Sequence, residues 1–206
     1  LTSRRRLYQM IDHEIQNAEQ GHKAEIILKL NNLVDKGLIT KLYAASNAKV
    51  SIRLIVRGMC SLIPGLKGMS EKLKVISIVD QFLEHPRVMV FHNQGNKHVF
   101  ITSADWMERN LDHRVEVACP IYDESLKARI LQTLELHFKD NTKARIINRQ
   151  QNNRYVHQAN KDKVRSQMAI YDYLQEQEFL DQQALIKLSN IRSESTINND
   201  TFKNHE

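Results

Sequence analysis

The sequence predicts an α/β domain built on a mixed β-sheet flanked by helices. Short runs of β-branched and aliphatic residues alternate with segments whose apolar residues recur at helical spacing. An early strand–helix–strand order calls for a parallel pair joined by a crossover helix. With 206 residues, 41% hydrophobic and 26% charged, the chain can bury a core, unlike a charge-rich disordered polymer.

Leu7, Ile11, Ile15 and Ala18 place a helix over residues 3–20, stopped at Gly21. Ala24 to Leu30 reads as a strand, Leu33, Leu38, Leu42 and Ala45 mark a helix, and Val50 to Val56 is a second strand. Val75 to Val79 is a short apolar segment; Phe82 and Leu83 begin a helical turn that Pro86 halts. Val88 to His92 and Val99 to Thr102 form a hairpin across Asn93-Gln94-Gly95-Asn96. A further strand runs from Arg114 to Ala118, and Asp123 to Phe138 is helical, with Ile130, Leu134 and Phe138 on one side. A helix over Val164 to Phe179 ends the domain, expected to span residues 1–180, and residues 181–206, rich in Ser, Asn, Asp and Lys, are expected to be a disordered tail.

No stretch approaches the roughly 18 apolar residues of a membrane span. The chain starts at Leu1, and Arg4-Arg5-Arg6 leads into an amphipathic pattern rather than a signal peptide, so the start is expected to be a cut inside a longer chain. Cys60 and Cys119 show no C-x-x-C pairing and support neither a disulfide framework nor a metal site. A cytoplasmic location is expected, open to peripheral association with a membrane. Lys plus Arg exceed Asp plus Glu by 30 to 24, and the stretch Lys139 to Arg165, with eight basic residues against Asp140 and Asp162, accounts for that surplus. Such a stretch suits a polyanion or is simply a solvated surface.

Motif absences narrow the chemistry. Neither G-x-x-x-x-G-K-S/T nor G-x-G-x-x-G occurs, nor H-E-x-x-H, nor a Ser in G-x-S-x-G. Arginine and histidine remain. Arg57-Gly58 follows the strand ending at Val56, where α/β sheets collect ligands, and a guanidinium there suits phosphate oxygens or, alternatively, a salt bridge at the sheet edge. In Glu84-His85-Pro86-Arg87 the proline holds His85 at a junction between elements, where an imidazole can bind phosphate, exchange protons or act as a nucleophile; a satisfied surface histidine is the alternative. Arg87 strengthens the functional reading. A third group, Ser103, Asp105, Arg109 and Arg114, lies beyond the hairpin, with Trp106 as core or as a stacking platform.

Ile55-Val56-Arg57-Gly58, Glu84-His85-x-Arg87 and Ser103-Ala104-Asp105-Trp106-Met107-x-Arg109-Asn110-Leu111-Asp112-x-Arg114-Val115-Glu116 closely resemble the C-terminal part of bacterial polyphosphate kinase. The likeness extends from Ile11-Asp12-x-Glu14-Ile15 and Lys29-x-Asn31-x-Leu33-x-Asp35 to Ala169-Ile170-Tyr171-Asp172-Tyr173, covering residues 5–175. The resemblance implies a phospholipase D-like fold, and reversible transfer of the terminal phosphate of ATP to inorganic polyphosphate through a phosphohistidine, with Mg2+ whose ligands are not identified here. It implies that Arg57 and His85 contact ATP and that His85 is the second active-site histidine, a candidate acid or base. ATP or ADP, polyphosphate, the upstream domains of the same chain and a second copy in a homo-oligomer are the implied partners; nucleic acid is not expected.

The family's phosphorylated histidine, in an H-x-K context on a strand, lies in the preceding domain. The only H-x-K here, His137-Phe138-Lys139, ends a predicted helix, so this chain alone is not expected to complete the cycle. Departures are Cys60-Ser61 for paired cysteines, Asn93-Gln94-Gly95 for Asn-Gly-Gly, and Gln81 for an arginine that would add a phosphate contact. A phospholipase D-like nuclease or phosphatidyl transferase is the nearest alternative, but the Asp it requires after H-x-K is Ala144. A non-catalytic polyanion-binding module is the alternative from another class.

Overall fold

The computed structural model describes residues 3–157 and 162–201, with side chains described to residue 187. It divides into two compact units, residues 1–166 and 167–206. In the first, seven strands form one mixed sheet: β1 (Glu25–Leu30), β2 (Ser51–Val56), β3 (Lys74–Ser77), β4 (Arg87–Phe91), β5 (His98–Thr102), β6 (Ala118–Ile121) and β7 (Arg145–Ile147), in the order β6-β5-β4-β1-β2-β3-β7. β1, β2 and β3 are parallel, with Ile26 opposite Ile52 and Leu54 opposite Val75, and the other neighbours are antiparallel. The predicted mixed sheet flanked by helices is therefore observed.

Alternation along the central strands makes two cores. Ile26, Leu28 and Leu30 of β1 join Ile52, Leu54 and Val56 of β2 in the larger one, with Leu7 and Ile11 of α1 (Ser3–Glu19) and Leu38 and Leu42 of α2 (Lys36–Asn47). Ile27, Ile55, Val88 and Val90 face the other way onto Leu134 of α4 (Glu124–Lys139), with Ile130 and Phe138 packed against them. Fully burying each Leu or Ile contributes roughly 1.5–3 kcal/mol relative to leaving it exposed, so both sheet faces are secured by helices. Asp35 caps α2 by accepting from the Leu38 N–H at 2.9 Å.

Several boundaries differ from the pattern reading, each for a local reason. The buried face of α1 takes Glu14 and Asn17 rather than Ile15 and Ala18, which stay half-buried. Glu14 accepts from the Glu25 and Asn93 N–H groups at 3.1 and 2.6 Å, and Asn17 Oδ1 accepts from Gln94 at 2.9 Å, so the helix secures the hairpin turn through polar contacts. Residues 81–86 form bends and irregular chain in place of the expected helical turn. The strand expected at Arg114–Ala118 begins only at Ala118, because Val115 is wholly exposed and Glu116 is engaged by Ser103 and Asn110. Pro120, with no N–H to give, is tolerated because β6 is an edge strand. α3 (Glu108–His113) and β7 were not anticipated, being six and three residues long. The second unit is α5 (Ser166–Thr201), a helix that continues past Phe179 through most of the segment for which composition suggested disorder. Residues 202–206 of that segment lie outside the described residues.

Candidate active site at the carboxyl ends of the parallel strands

β1 and β2 end side by side, and the chain leaving each is held by hydrogen bonds to the other. The Gly58 N–H donates to the Asn31 carbonyl at 2.8 Å. A Cβ on Gly58 would lie 2.6 Å from Asn32 Oδ1 and 2.8 Å from that carbonyl, so the residue after Arg57 must be glycine for the two turns to approach this closely. Arg57 therefore leaves β2 beside Asn31, and its Nε donates to Asn31 Oδ1. The remaining guanidinium nitrogens have no protein acceptor among the described residues, which leaves a forked cation for an external anion.

Asn31 is the link to the other side of β1. Its N–H and that of Asn32 donate to Asp105 Oδ1 at 2.8 and 3.1 Å, and Asn32 Nδ2 donates to Asp105 Oδ2 at 3.0 Å. The same carboxylate accepts from Arg87 Nε at 2.9 Å and Nη2 at 3.3 Å. Burial pushes the Asp105 carboxyl up, but the bonds from Arg87, Asn32 and Asn31 outweigh burial and hold it below the ordinary carboxylate range. Arg87 in turn lies along the His85 ring, with Nη1 3.2 Å from Nδ1 and Nη2 3.4 Å from Nε2. A continuous chain, Arg57–Asn31–Asp105–Arg87–His85, thus joins residues from four separate segments, and it ends in an exposed imidazole. Asn31 Nδ2 is buried there without a partner among the described residues.

The remaining candidates separate. Ser103 donates to Glu116 Oε2 and accepts from the Val117 N–H at 3.0 Å, so its hydroxyl is engaged in fixing the segment before β6. Glu116 also accepts from Asn110 at 2.5 Å; the Ser103 bond chiefly, with help from Asn110 and the charges of Arg114 and Arg87, keeps its carboxyl low. Arg114 is exposed near this carboxylate, and Arg109 is exposed on α3, outside the chain described above. Trp106 is fully buried and belongs to the larger core. Asn31 and Asn32 were missed as functional candidates because nothing in an isolated asparagine reports that two strand ends meet on it.

The histidine of the only H-x-K is 2% exposed: His137 Nε2 lies 2.7 Å from Glu84 and Nδ1 2.8 Å from the Thr133 carbonyl. A nucleophile must reach its substrate, so the phospholipase D-type role fails for His137 on burial as well as on sequence. The basic stretch is partly consumed internally, since Arg165 and Lys143 pair with buried Asp80 at 2.7 and 3.9 Å and Arg145 stacks on Tyr155. Lys161 of that stretch lies outside the described residues. Among the described residues no group of three His, Cys, Asp or Glu side chains could hold a metal, and Asp105 and Glu116 are both committed to protein donors. These residues do not fit a Mg2+ site. No described helix is long and apolar enough to cross a membrane.

Residues 1–167 match the family model for polyphosphate kinase C-terminal domain 2. The chain is 61% identical over 172 residues to polyphosphate kinase of Vibrio cholerae, covering 84% of this chain and 24% of that protein. It is 56% identical to polyphosphate kinase of Escherichia coli K12, covering 84% and 25%. It spans about a quarter of the length of the curated relatives it matches. The crystal structure of polyphosphate kinase from Porphyromonas gingivalis superposes with a TM-score of 0.84 at 44% identity, over 86% of this chain and 27% of that one. A weaker likeness, TM-score 0.47 at 13% identity, links 65% of this chain to 88% of Nuc, a phospholipase D family member from Salmonella typhimurium. With a family model spanning the whole sheet and the strand-end arginines, the chain belongs to the polyphosphate kinase C-terminal domain 2 family.

Proposed function

We propose that this chain is one half of the catalytic machinery of an ATP:polyphosphate phosphotransferase, which reversibly moves the terminal phosphate of ATP to inorganic polyphosphate through a phosphohistidine carried by an upstream domain. The observation that carries this reading is the chain from Arg57 to His85, which sets a forked cation and an exposed imidazole at the same end of the sheet, beside the carboxyl ends of β1 and β2. Phosphoryl transfer places charge on peripheral oxygens, and the protein's part is mainly positioning and electrostatic stabilisation. Arg57, fixed through Nε, directs its free nitrogens to ATP phosphates. His85 donates a hydrogen bond to, or exchanges a proton with, the group in transit. Asp105 orients Arg87 and is not a base, because its oxygens are filled by five donor contacts. No step is assigned to Mg2+ on this chain. The partners are ATP or ADP, polyphosphate, the upstream domains and a second copy of the complete protein, and the isolated chain is inactive.

The test is Arg57→Ala and His85→Ala in the full-length kinase. Loss on the order of 10³–10⁵ in rate is expected for Arg57→Ala if it contacts the transferring phosphate, and less than about tenfold removes it from that role. Titration of the 206-residue chain with Mg-ATP, followed by backbone amide NMR, separates a nucleotide half-site from a charge-selected polyanion binder. Saturable shifts near Arg57 and His85 support the first; displacement of ligand by any polyanion in proportion to charge density supports the second.

A further inference from the structure

Glu84, immediately before His85, is the meeting point of two buried side chains, Lys29 and His137. Its Oε2 lies 2.8 Å from Lys29 Nζ and 2.7 Å from His137 Nε2. Lys29 is on β1, two residues before Asn31, and its side chain is 7% exposed; His137 is on α4, and its side chain is 2% exposed. The His137 ring shows what holds them together. Its Nδ1 faces the Thr133 carbonyl and its Nε2 faces a carboxylate, and both of those groups only accept. Facing two such acceptors, both ring nitrogens are placed to donate. Burial pushes the Glu84 carboxyl up, but the His137 bond and charge and then Lys29 overcome it and drive it strongly down. The residues before His85 are bends and irregular chain without a helical or ladder frame of their own, and the Glu84 side chain is one of their attachments.

We propose that Glu84, Lys29 and His137 are positioning residues for the proposed reaction: a buried Lys29–Glu84–His137 anchor that holds the His85 loop against β1 and α4 and so fixes the imidazole relative to Arg57. This rests on the reading of His85 as a reacting group. It gives the H-x-K histidine a function that is not nucleophilic, and it makes β1 the shared reference for both halves of the site. Arg57 hangs from Asn31, and the His85 loop hangs through Glu84 from Lys29, two residues earlier. Glu84 touches no substrate in this scheme and acts only through His85.

The experiment is a double-mutant cycle in full-length kinase with Glu84→Gln, His85→Ala and the pair, reading kcat and KM for ATP, beside 15N NMR of the histidines in the 206-residue chain. A catalytic group misplaced by about 1 Å costs on the order of 10²-fold, so Glu84→Gln is expected to lower kcat by about that factor while KM for ATP, set by Arg57, changes less than about threefold. In the His85→Ala background Glu84→Gln should cost nothing further. Losses that multiply would mean Glu84 only stabilises the domain, and would overturn the proposal. The wild-type His137 ring should show both nitrogens protonated, and Glu84→Gln should shift the His85 ring and residues 82–87 while leaving Arg57 in place. A neutral His137 ring, or no shift at His85, overturns the anchor whatever the activity shows. If His85→Ala leaves activity intact, the functional reading falls and the NMR arm alone judges the anchor. Should Glu84→Gln not fold, Lys29→Met, which removes the Lys29 contact to Glu84, carries the same cycle.

Discussion

Replacing Asp105 by Asn tests whether the chain between Arg57 and His85 is held as described. Asp105 Oδ1 accepts from the Asn31 and Asn32 N–H groups and Arg87 Nε, whereas Oδ2 accepts from Asn32 Nδ2 and Arg87 Nη2. An asparagine amide can satisfy only one set. Its oxygen will take the Oδ1 position, where three donors converge, leaving its NH2 pointed at two other donors. The side chains of Arg87 and Asp105 are 12% and 5% exposed, so the lost pair is not screened by solvent. Breaking a buried pair by removing one charge costs about 3–5 kcal/mol. For a chain of this size about 1 kcal/mol moves Tm by roughly 2–4 °C, which gives a fall of about 6–20 °C. The pH dependence supplies a second signature. Asp105 has a folded pKa below its unfolded value, so its contribution is fully present above the unfolded pKa of about 3.9 and is lost as pH falls through the folded value. Thermal denaturation of wild type and Asp105→Asn should differ most near neutrality and converge in acid. A difference below about 0.5 kcal/mol at pH 7, or one unchanged on acidification, would refute the reasoning.

Other outcomes follow from the same geometry. Gly58→Ala puts a methyl 2.6 Å from Asn32 Oδ1 and should destabilise the domain by about 1–3 kcal/mol while weakening nucleotide binding, measured by urea denaturation and Mg-ATP titration; wild-type affinity would contradict the close-approach argument. Asp140, wholly buried, accepts from the N–H groups of Thr142, Lys143, Ala144 and Ser166, so Asp140→Ala should cost at least about 3 kcal/mol by denaturant unfolding, or the folded state will not form. Burial pushes the Asp140 carboxyl up, but those N–H bonds hold it down overall, so wild-type stability should fall with pH below the ordinary carboxylate range, and Asp140→Ala should flatten that profile. Polyphosphate affinity of the full-length kinase should weaken as salt rises, since exposed basic residues such as Arg149 and Arg154 are screened at a Debye length of about 10 Å in 0.1 M salt; an insensitive affinity would remove this stretch from the polymer's route.

The frame was legible because its signals are periodic. β1 and β2 are runs of Ile, Leu and Val long enough to specify strands, and α2 and α4 show themselves by apolar residues at helical spacing. Short elements without an apolar run of their own were not readable: β7 has three residues inside a polar stretch and exists because β3 offers Val75 to Ile147 as a partner. The Arg114–Val117 run alternates like a strand, but ladder pairing starts only at Ala118; Val117 is held instead by the Ser103 N–H and hydroxyl. Propensity cannot report where ladder pairing starts.

The candidate site was legible where charged residues stand at strand junctions. Arg57, His85, Arg87 and Asp105 stand out in that way, whereas Lys29, Asn31 and Asn32 are read naturally as ordinary polar positions. Lys29 falls inside an apolar strand, where a long stem can bury and a charge must find a carboxylate; it does so at Glu84, 55 residues away in sequence. Asn31 accepts from Arg57 and gives its N–H to Asp105, 74 residues on. Both supports start from the same end of β1, the strand that lies between β2 and β4. A shift of β1 would therefore move Arg57 and His85 together and preserve their spacing, whereas loss of either support moves one without the other. That asymmetry is why substitutions at Asn31 or Glu84 should damage turnover more than comparable substitutions in the apolar core, which lower stability but leave the two groups in register.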